Sequence, residues 1–281
     1  CLYICHTGGR PILYDAYQAQ LDMLAPWRAA AGLTQAALRG PMLGPVMNNW
    51  LTAISAGAEL FSRAQMIHER PAYGIDRVMV DGAWTPVREQ VALALPFGDL
   101  LHFAKPAGRT QPKVLLVAPM AGHFSTLLRH TAQTLLADHD VYITDWKNAR
   151  DIPPAEGRFG TDEYIDYLLR FLRAIGPGVH AVAVCQPCPL LLAATALMAE
   201  DEDAATPRSI TLMAGPVDTR INPTEVNRLA MAHDTRWFEE KLIAAVPRRY
   251  PGAHRRVYPC FIQLSAFLAM NLPRHVRAHL D

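Results

Sequence analysis

His180-Ala181-Val182-Ala183-Val184-Cys185-Gln186-Pro187-Cys188-Pro189 is the stretch on which the reading of this chain turns. An apolar β-like run stops at a cysteine, and residues 190–199 then read as helix. A strand that turns sharply into a helix around a nucleophilic side chain is a nucleophile elbow, and its nucleophile here would be Cys185. The backbone at such a turn is strained and passes close to its neighbours, so a small residue is expected two positions before the nucleophile. Ala183 meets that need, and Pro187 stands where a second glycine is usual. The competing reading is a buried cysteine acting as a small hydrophobe. Cys185 and Cys188 also form a C-x-x-C, a spacing shared by redox dithiols and by zinc sites, the latter needing two further ligands.

Working outward, residues 114–118, 141–144, 179–184 and 209–213 read as strands, and residues 126–137, 162–175 and 190–199 as helices. Apolar strands alternating with helices indicate an α/β fold with a mostly parallel sheet. Ligands in such sheets bind outside the carboxyl ends of the strands, where Cys185 lies. Pro119-Met120-Ala121-Gly122-His123 ends the first of these strands. In α/β-hydrolases this loop supplies one oxyanion-hole N–H and the residue after the nucleophile supplies the other. The candidates are the amide of Met120 or Ala121 and that of Gln186; Gly122 also reads simply as a loop glycine. Asp218, in the loop after residue 213, is placed to approach as an acid or to form a surface turn with Thr219.

Upstream, Leu13, Tyr17, Leu21, Leu24, Trp50, Ile54, Leu60 and Phe61 recur at near-helical spacing around a break at Gly40, Pro41, Gly44 and Pro45. Two helices follow, their aromatic and Met residues expected in a core, with a lid or polymer-facing role as the alternative. Residues 77–80, 87–95 and 100–103 read as antiparallel strands, with Asp81-Gly82 as a turn. Beyond residue 224 the sequence is mixed and helical, with broad apolar faces. The organisation is a helical segment over 1–70, an α/β core over 71–224 and a helical cap over 225–281.

The totals set bounds. The chain has 281 residues, 51% of them hydrophobic, enough for a sizeable core. Twenty-seven basic and 26 acidic residues leave a formal charge of +1, so no global field points to nucleic acid or an anionic membrane. No apolar run reaches the length of a spanning helix. Five cysteines, odd in number and without scaffold spacing, favour a reducing compartment. Residues 1–10, opening on Cys1 and not Met, carry little pattern and read as an artefact of the start.

Four segments in one order, residues 112–119, 140–146, 182–187 and 216–220, resemble the intracellular polyhydroxybutyrate (PHB) depolymerases. The resemblance runs from about Tyr14 to the end, and the cysteine in place of a lipase-type serine is itself a trait of that family. A more distant likeness is to the polyhydroxyalkanoate synthases, whose elbow is G-x-C-x-G, where this chain has Ala183 and Pro187. What the resemblance implies is an α/β-hydrolase fold and hydrolysis of poly-3-hydroxybutyrate in bacterial granules through a Cys185 acyl-enzyme. No metal or organic cofactor is implied, and the partner is the granule surface in the cytoplasm. The alternatives are a synthase-like acyltransferase and a non-catalytic granule-binding protein. The family completes its triad with an Asp and a His downstream of the cap, so both are expected beyond residue 281 and the chain reads as C-terminally truncated. His123, His233, His254, His275 and His279 each read more simply as surface or loop histidines. Phe261, Phe267 and Met270 are cap residues that could face polymer or pack on the core.

Overall fold

The structure is a computed structural model that describes residues 12–40, 49–63, 66, 68–106, 110–120 and 124–269. It divides into two compact units, one of residues 11–69 and one built from residue 70 onward.

The first unit pairs α1 (Ile12–Arg39) with α2 (Asn49–Arg63). Tyr14 and Ser55 are buried, whereas Leu13, Trp50, Ile54, Leu60 and Phe61 are exposed. Of these, the aromatic Trp50 and Phe61 are expected in a core, and the structure corrects that. Two helices packed on each other bury only the facing stripe of each, which leaves apolar residues on the remaining faces in solvent.

In the second unit, β1 (Arg77–Val80) and β2 (Ala83–Pro86) form a hairpin. Asp81 and Gly82 both take positive φ, as a tight two-residue hairpin turn demands. Strand β3 (Arg88–Leu95) pairs antiparallel with β4 (Gly98–Ala104). The alternating part follows: β5 (Lys113–Val117), α3 (Arg129–Leu135), β6 (Asp140–Trp146), α4 (Thr161–Ile175), β7 (His180–Val184), α5 (Cys188–Glu200) and β8 (Ser209–Met213). Residues 126–128, expected to begin α3, belong to a 3-10 turn, Ser125–Leu128, leading into it.

Among the described residues the main sheet runs β3-β4-β6-β5-β7-β8, with β4 antiparallel to its neighbours and β6, β5, β7 and β8 parallel. The strands read as unbroken apolar runs because both faces are covered. Leu115, Val117, Ala181 and Ala183 pack with Leu168, Phe171 and Leu172 of α4 and Leu191 of α5. Leu116, Val141 and Ile143 pack on the other side with Ala132 of α3, Leu136 and the hairpin residues Val78 and Val80. In α4 the buried side chains recur at Tyr164, Tyr167, Leu168, Phe171, Leu172 and Ile175, one continuous helical stripe. The helix starts where Glu163 Oε2 accepts the Gly160 N–H at 2.6 Å and stops at Gly176, whose φ is 84°.

This is an α/β fold of the α/β-hydrolase kind. From β5 the chain steps to β6 on one side and then crosses to β7 on the other. The reversal sets the carboxyl ends of β5 and β7 side by side at the topological switch point.

Past β8 come α6 (Glu225–Ala232), α7 (Thr235–Lys241), the two-residue strands β9 (Ala244–Ala245) and β10 (Arg256–Val257), and α8 (Cys260–Ala269). Here the mixed helical expectation misses the β9·β10 pairing, a ladder too short to leave a period in sequence. Arg255 fastens this region to the core. It donates to the carbonyls of Ile152, Pro153 and Gly157 and lies over the Phe97 ring at 5.1 Å. Gly252 donates to Arg150 O at 2.7 Å, and a Cβ there would meet Ala149 O at 2.5 Å, so only glycine admits this approach. Among the described residues no helix is long and apolar enough to cross a membrane.

Candidate active site

Cys185 sits between the last residue of β7 and the first turn of α5 with φ +66°, a left-handed conformation rare outside glycine. The turn is held in it from both sides. The Cys185 N–H donates to Met213 O at 2.8 Å, extending the β7·β8 pairing by one residue, and its carbonyl accepts the Cys188 N–H at 3.2 Å. The side chain is exposed. A strained backbone that lifts a cysteine off the end of a parallel strand is the geometry of a nucleophile elbow.

The neighbours explain the local sequence. Ala183 is fully buried in the sheet, opposite Val117 on one side and Leu212 on the other. Pro187 has φ −76°, within proline's own range, so no glycine is needed at that position. Cys188 is buried, its Sγ 3.4 Å from Ala183 O and 3.7 Å from Met213 O, and burial pushes its thiol pKa up. Gly215 runs against it: a Cβ on Gly215 would lie 2.1 Å from Cys188 Cβ. The two cysteines of the C-x-x-C thus differ in role, one exposed at the tip of the turn and one packed beneath it. Among the described residues no group of three or more His, Cys, Asp or Glu could hold a metal ion.

An oxyanion donor must be an N–H with no other commitment. The Gln186 N–H makes no hydrogen bond among the described residues, and it lies at the N-terminal end of α5, where the helix dipole favours developing negative charge. The Met120 amide is committed: it donates to the Gln186 side-chain Oε1 at 2.9 Å. Ala121, Gly122 and His123 lie outside the described residues. No local pattern signals the Gln186 side-chain contact, which exists only because β5 and β7 are neighbours.

The strand end that carries this loop is rigid. Ala118 donates to Thr144 Oγ1 at 2.9 Å, and its carbonyl accepts Trp146 Nε1 at 2.9 Å and Tyr164 Oη at 3.4 Å. On the other flank Ser125 Oγ donates to Asp145 Oδ1 at 2.5 Å, and Arg70 Nε reaches Asp145 Oδ2 at 2.7 Å. Burial raises the Asp145 pKa; the hydrogen bond from Ser125 and the Arg70 charge oppose the rise.

Asp218 pairs with Arg220, accepting its N–H at 3.1 Å and its guanidinium at 2.9 and 2.8 Å. It opens the surface turn expected with Thr219, its carbonyl accepting the Ile221 N–H at 3.2 Å, and Arg220 holds its carboxylate. His233 stacks on Trp237 with ring centroids 4.0 Å apart, and His254 is an exposed residue at φ +69°. His275 and His279 lie outside the described residues, as do Met270 and the Phe267 side chain; Phe261 is half-buried.

Residues 214–281, from the first residue after β8, match the family model described as PHB de-polymerase C-terminus. The family resemblance is borne out over these residues, which include the last of the four segments that carry it, 216–220. No curated protein matches the chain. Among solved structures, an arylesterase aligns at 12% identity over 48% of this chain and 45% of its own, with a TM-score of 0.32. An alpha/beta hydrolase enzyme from the metagenome of Lake Arreo, Spain, aligns at 14% identity over 73% and 63%, with a TM-score of 0.36. A hyperthermophilic esterase from the archaeon Pyrobaculum calidifontis aligns at 14% identity over 85% and 72%, with a TM-score of 0.37. The chain thus spans less than half of the arylesterase and under two thirds of the Lake Arreo hydrolase. The PHB depolymerase match covers the loop with Gly215 and Asp218 and the segment that Arg255 anchors, but not the elbow itself.

Proposed function

We propose that this chain carries the nucleophile of an ester hydrolase acting on poly-3-hydroxybutyrate, with Cys185 forming the acyl-enzyme. The observation that carries the reading is the exposed Cys185 at φ +66°, next to a Gln186 N–H that makes no hydrogen bond among the described residues. The Cys185 thiolate attacks the ester carbonyl, a C–S bond forms, and the carbonyl π electrons move onto oxygen, where the Gln186 amide meets them. Collapse of the tetrahedral adduct breaks the C–O bond and expels the alkoxide, which takes up a proton. Water then attacks the thioester, releasing the hydroxy acid and returning the thiol.

The polyester granule is the proposed partner, in the cytoplasm of a bacterial cell. Exposed Met213, Val217, Ile221, Val226, Leu229 and Met231 support it, since they follow β8 at the elbow end of the sheet and offer apolar surface.

The test is incubation with p-nitrophenyl butyrate at about pH 8.5, where an ordinary thiol is half ionised without help from a base, followed by mapping of the butyryl group. Acylation of Cys185, lost in Cys185→Ala, together with 3-hydroxybutyrate release from amorphous granules, is the expected result. Granule binding with no acyl adduct and no acid released would replace the enzyme with a binding protein.

A further inference from the structure

The side chain of the residue after the nucleophile has a role of its own. Gln186 presents two groups in two directions: its backbone N–H, at the head of α5, makes no hydrogen bond among the described residues, while its Oε1 accepts the Met120 N–H at 2.9 Å. The two residues are 66 positions apart and belong to loops leaving adjacent strands. Met120 is buried and its amide follows Pro119, which has no N–H, so the Gln186 contact is the hydrogen bond that ties this point of the β5 loop to the elbow. On the far flank, Ser125 is tied to Asp145, which Arg70 also holds. Met120 is therefore tied to the nucleophile's own neighbour, and Ser125 to β6.

We propose that the Gln186 side chain is a positioning residue, a latch that holds Met120, at the end of β5, against the Cys185 elbow and so keeps the Gln186 N–H in register with the thiol. Its catalytic consequence rests on the ester-hydrolase reading; the latch itself does not. The latch also takes the Met120 amide out of the oxyanion hole, leaving the Gln186 N–H as the described donor. Loosening the latch slows formation of the tetrahedral adduct, a kcat effect, and leaves KM for a small soluble ester little changed.

The experiment uses the full chain in four forms: wild type, Gln186→Met, Gln186→Asn and Gln186→Glu. Methionine keeps the length without the acceptor, asparagine keeps the amide but falls one methylene short, and glutamate keeps length and acceptor. Hydrogen exchange is read by NMR at the Met120 amide in protein labelled with 15N-methionine, the signal being assigned by Met120→Leu. Exchange should speed up about tenfold in the Met and Asn forms and stay slow in the Glu form, as loss of one net hydrogen bond dictates. Cys185 acylation by p-nitrophenyl butyrate should fall about tenfold in kcat for the same two forms, with KM within about twofold. Unchanged Met120 exchange in Gln186→Met overturns the latch. Faster exchange with no acylation even in wild type leaves the latch standing and removes the nucleophile reading instead.

Discussion

Replacing Cys185 by glycine should stabilise the protein, and comparison with Cys185→Ala isolates why. The side chain at 185 is exposed and its conformation is φ +66°, so cutting it back to alanine removes little burial and keeps the Cβ that makes a left-handed backbone costly. That cost is about 1–2 kcal/mol for an L-residue. Glycine removes it but gives back about 0.5–1 kcal/mol through the greater freedom of the unfolded chain. The difference leaves Cys185→Gly about 1 kcal/mol more stable than Cys185→Ala, or about 2–4 °C in Tm for a unit of roughly 200 residues. Urea melts of the two variants, followed by tryptophan fluorescence and by circular dichroism, measure it directly. If alanine proves as stable as glycine, the turn is not strained and the elbow argument loses its physical basis. Stability gained by deleting the proposed nucleophile would mark the turn as strained for function.

Other perturbations test neighbouring parts of the argument. Gly215→Ala should cost about 2–3 kcal/mol in urea melts because its Cβ would meet Cys188, and a clearly smaller penalty is expected in a Cys188→Gly background. Arg255→Met, which keeps the stem and loses the donors to Ile152, Pro153 and Gly157, should cost about 3 kcal/mol and open residues 243–259 to limited proteolysis; an unchanged cleavage pattern would show that the staple is dispensable. Iodoacetamide at about pH 8 should label Cys185 at least about tenfold faster than Cys188, whose thiol is buried and whose pKa is raised, with peptide mass mapping as the readout. Burial alone would raise the Asp140 pKa, but the His102 hydrogen bond with the His102, Lys105 and Lys113 charges outweighs it and holds the carboxyl below its ordinary range. That contribution is present above about pH 4 and is lost as pH falls through the lowered folded value, so Asp140→Asn should flatten the acid limb of the stability curve.

Much of the architecture follows from local pattern. The strands at 77–80 and 209–213 were legible to the residue, because a run of apolar or alternating side chains bounded by turn residues has few other solutions. The turn at Cys185 was legible too, since an apolar strand, a small residue and a following helix leave the chain nowhere else to bend. Strand β2 was not: Trp84 is exposed and its four residues carry no alternation that a sequence window could detect. The aromatic residues on the apolar faces of α1 and α2 read as core because periodicity reports which side of a helix is apolar, not whether anything covers it.

What the sequence determined by itself is the order of the strands along the chain, the elbow and the identity of the cysteine on it. The tertiary structure decided which strands are neighbours, and with that everything that depends on proximity. Placing β5 beside β7 brings the Met120 amide onto the Gln186 side chain, to which it donates. Placing β7 beside β8 brings Gly215 against Cys188, and the packing of the last segment brings Arg255 onto the carbonyls near residue 153. Contacts between residues far apart in the chain leave no period, cap or turn in either partner, because each partner alone satisfies only its own local rules.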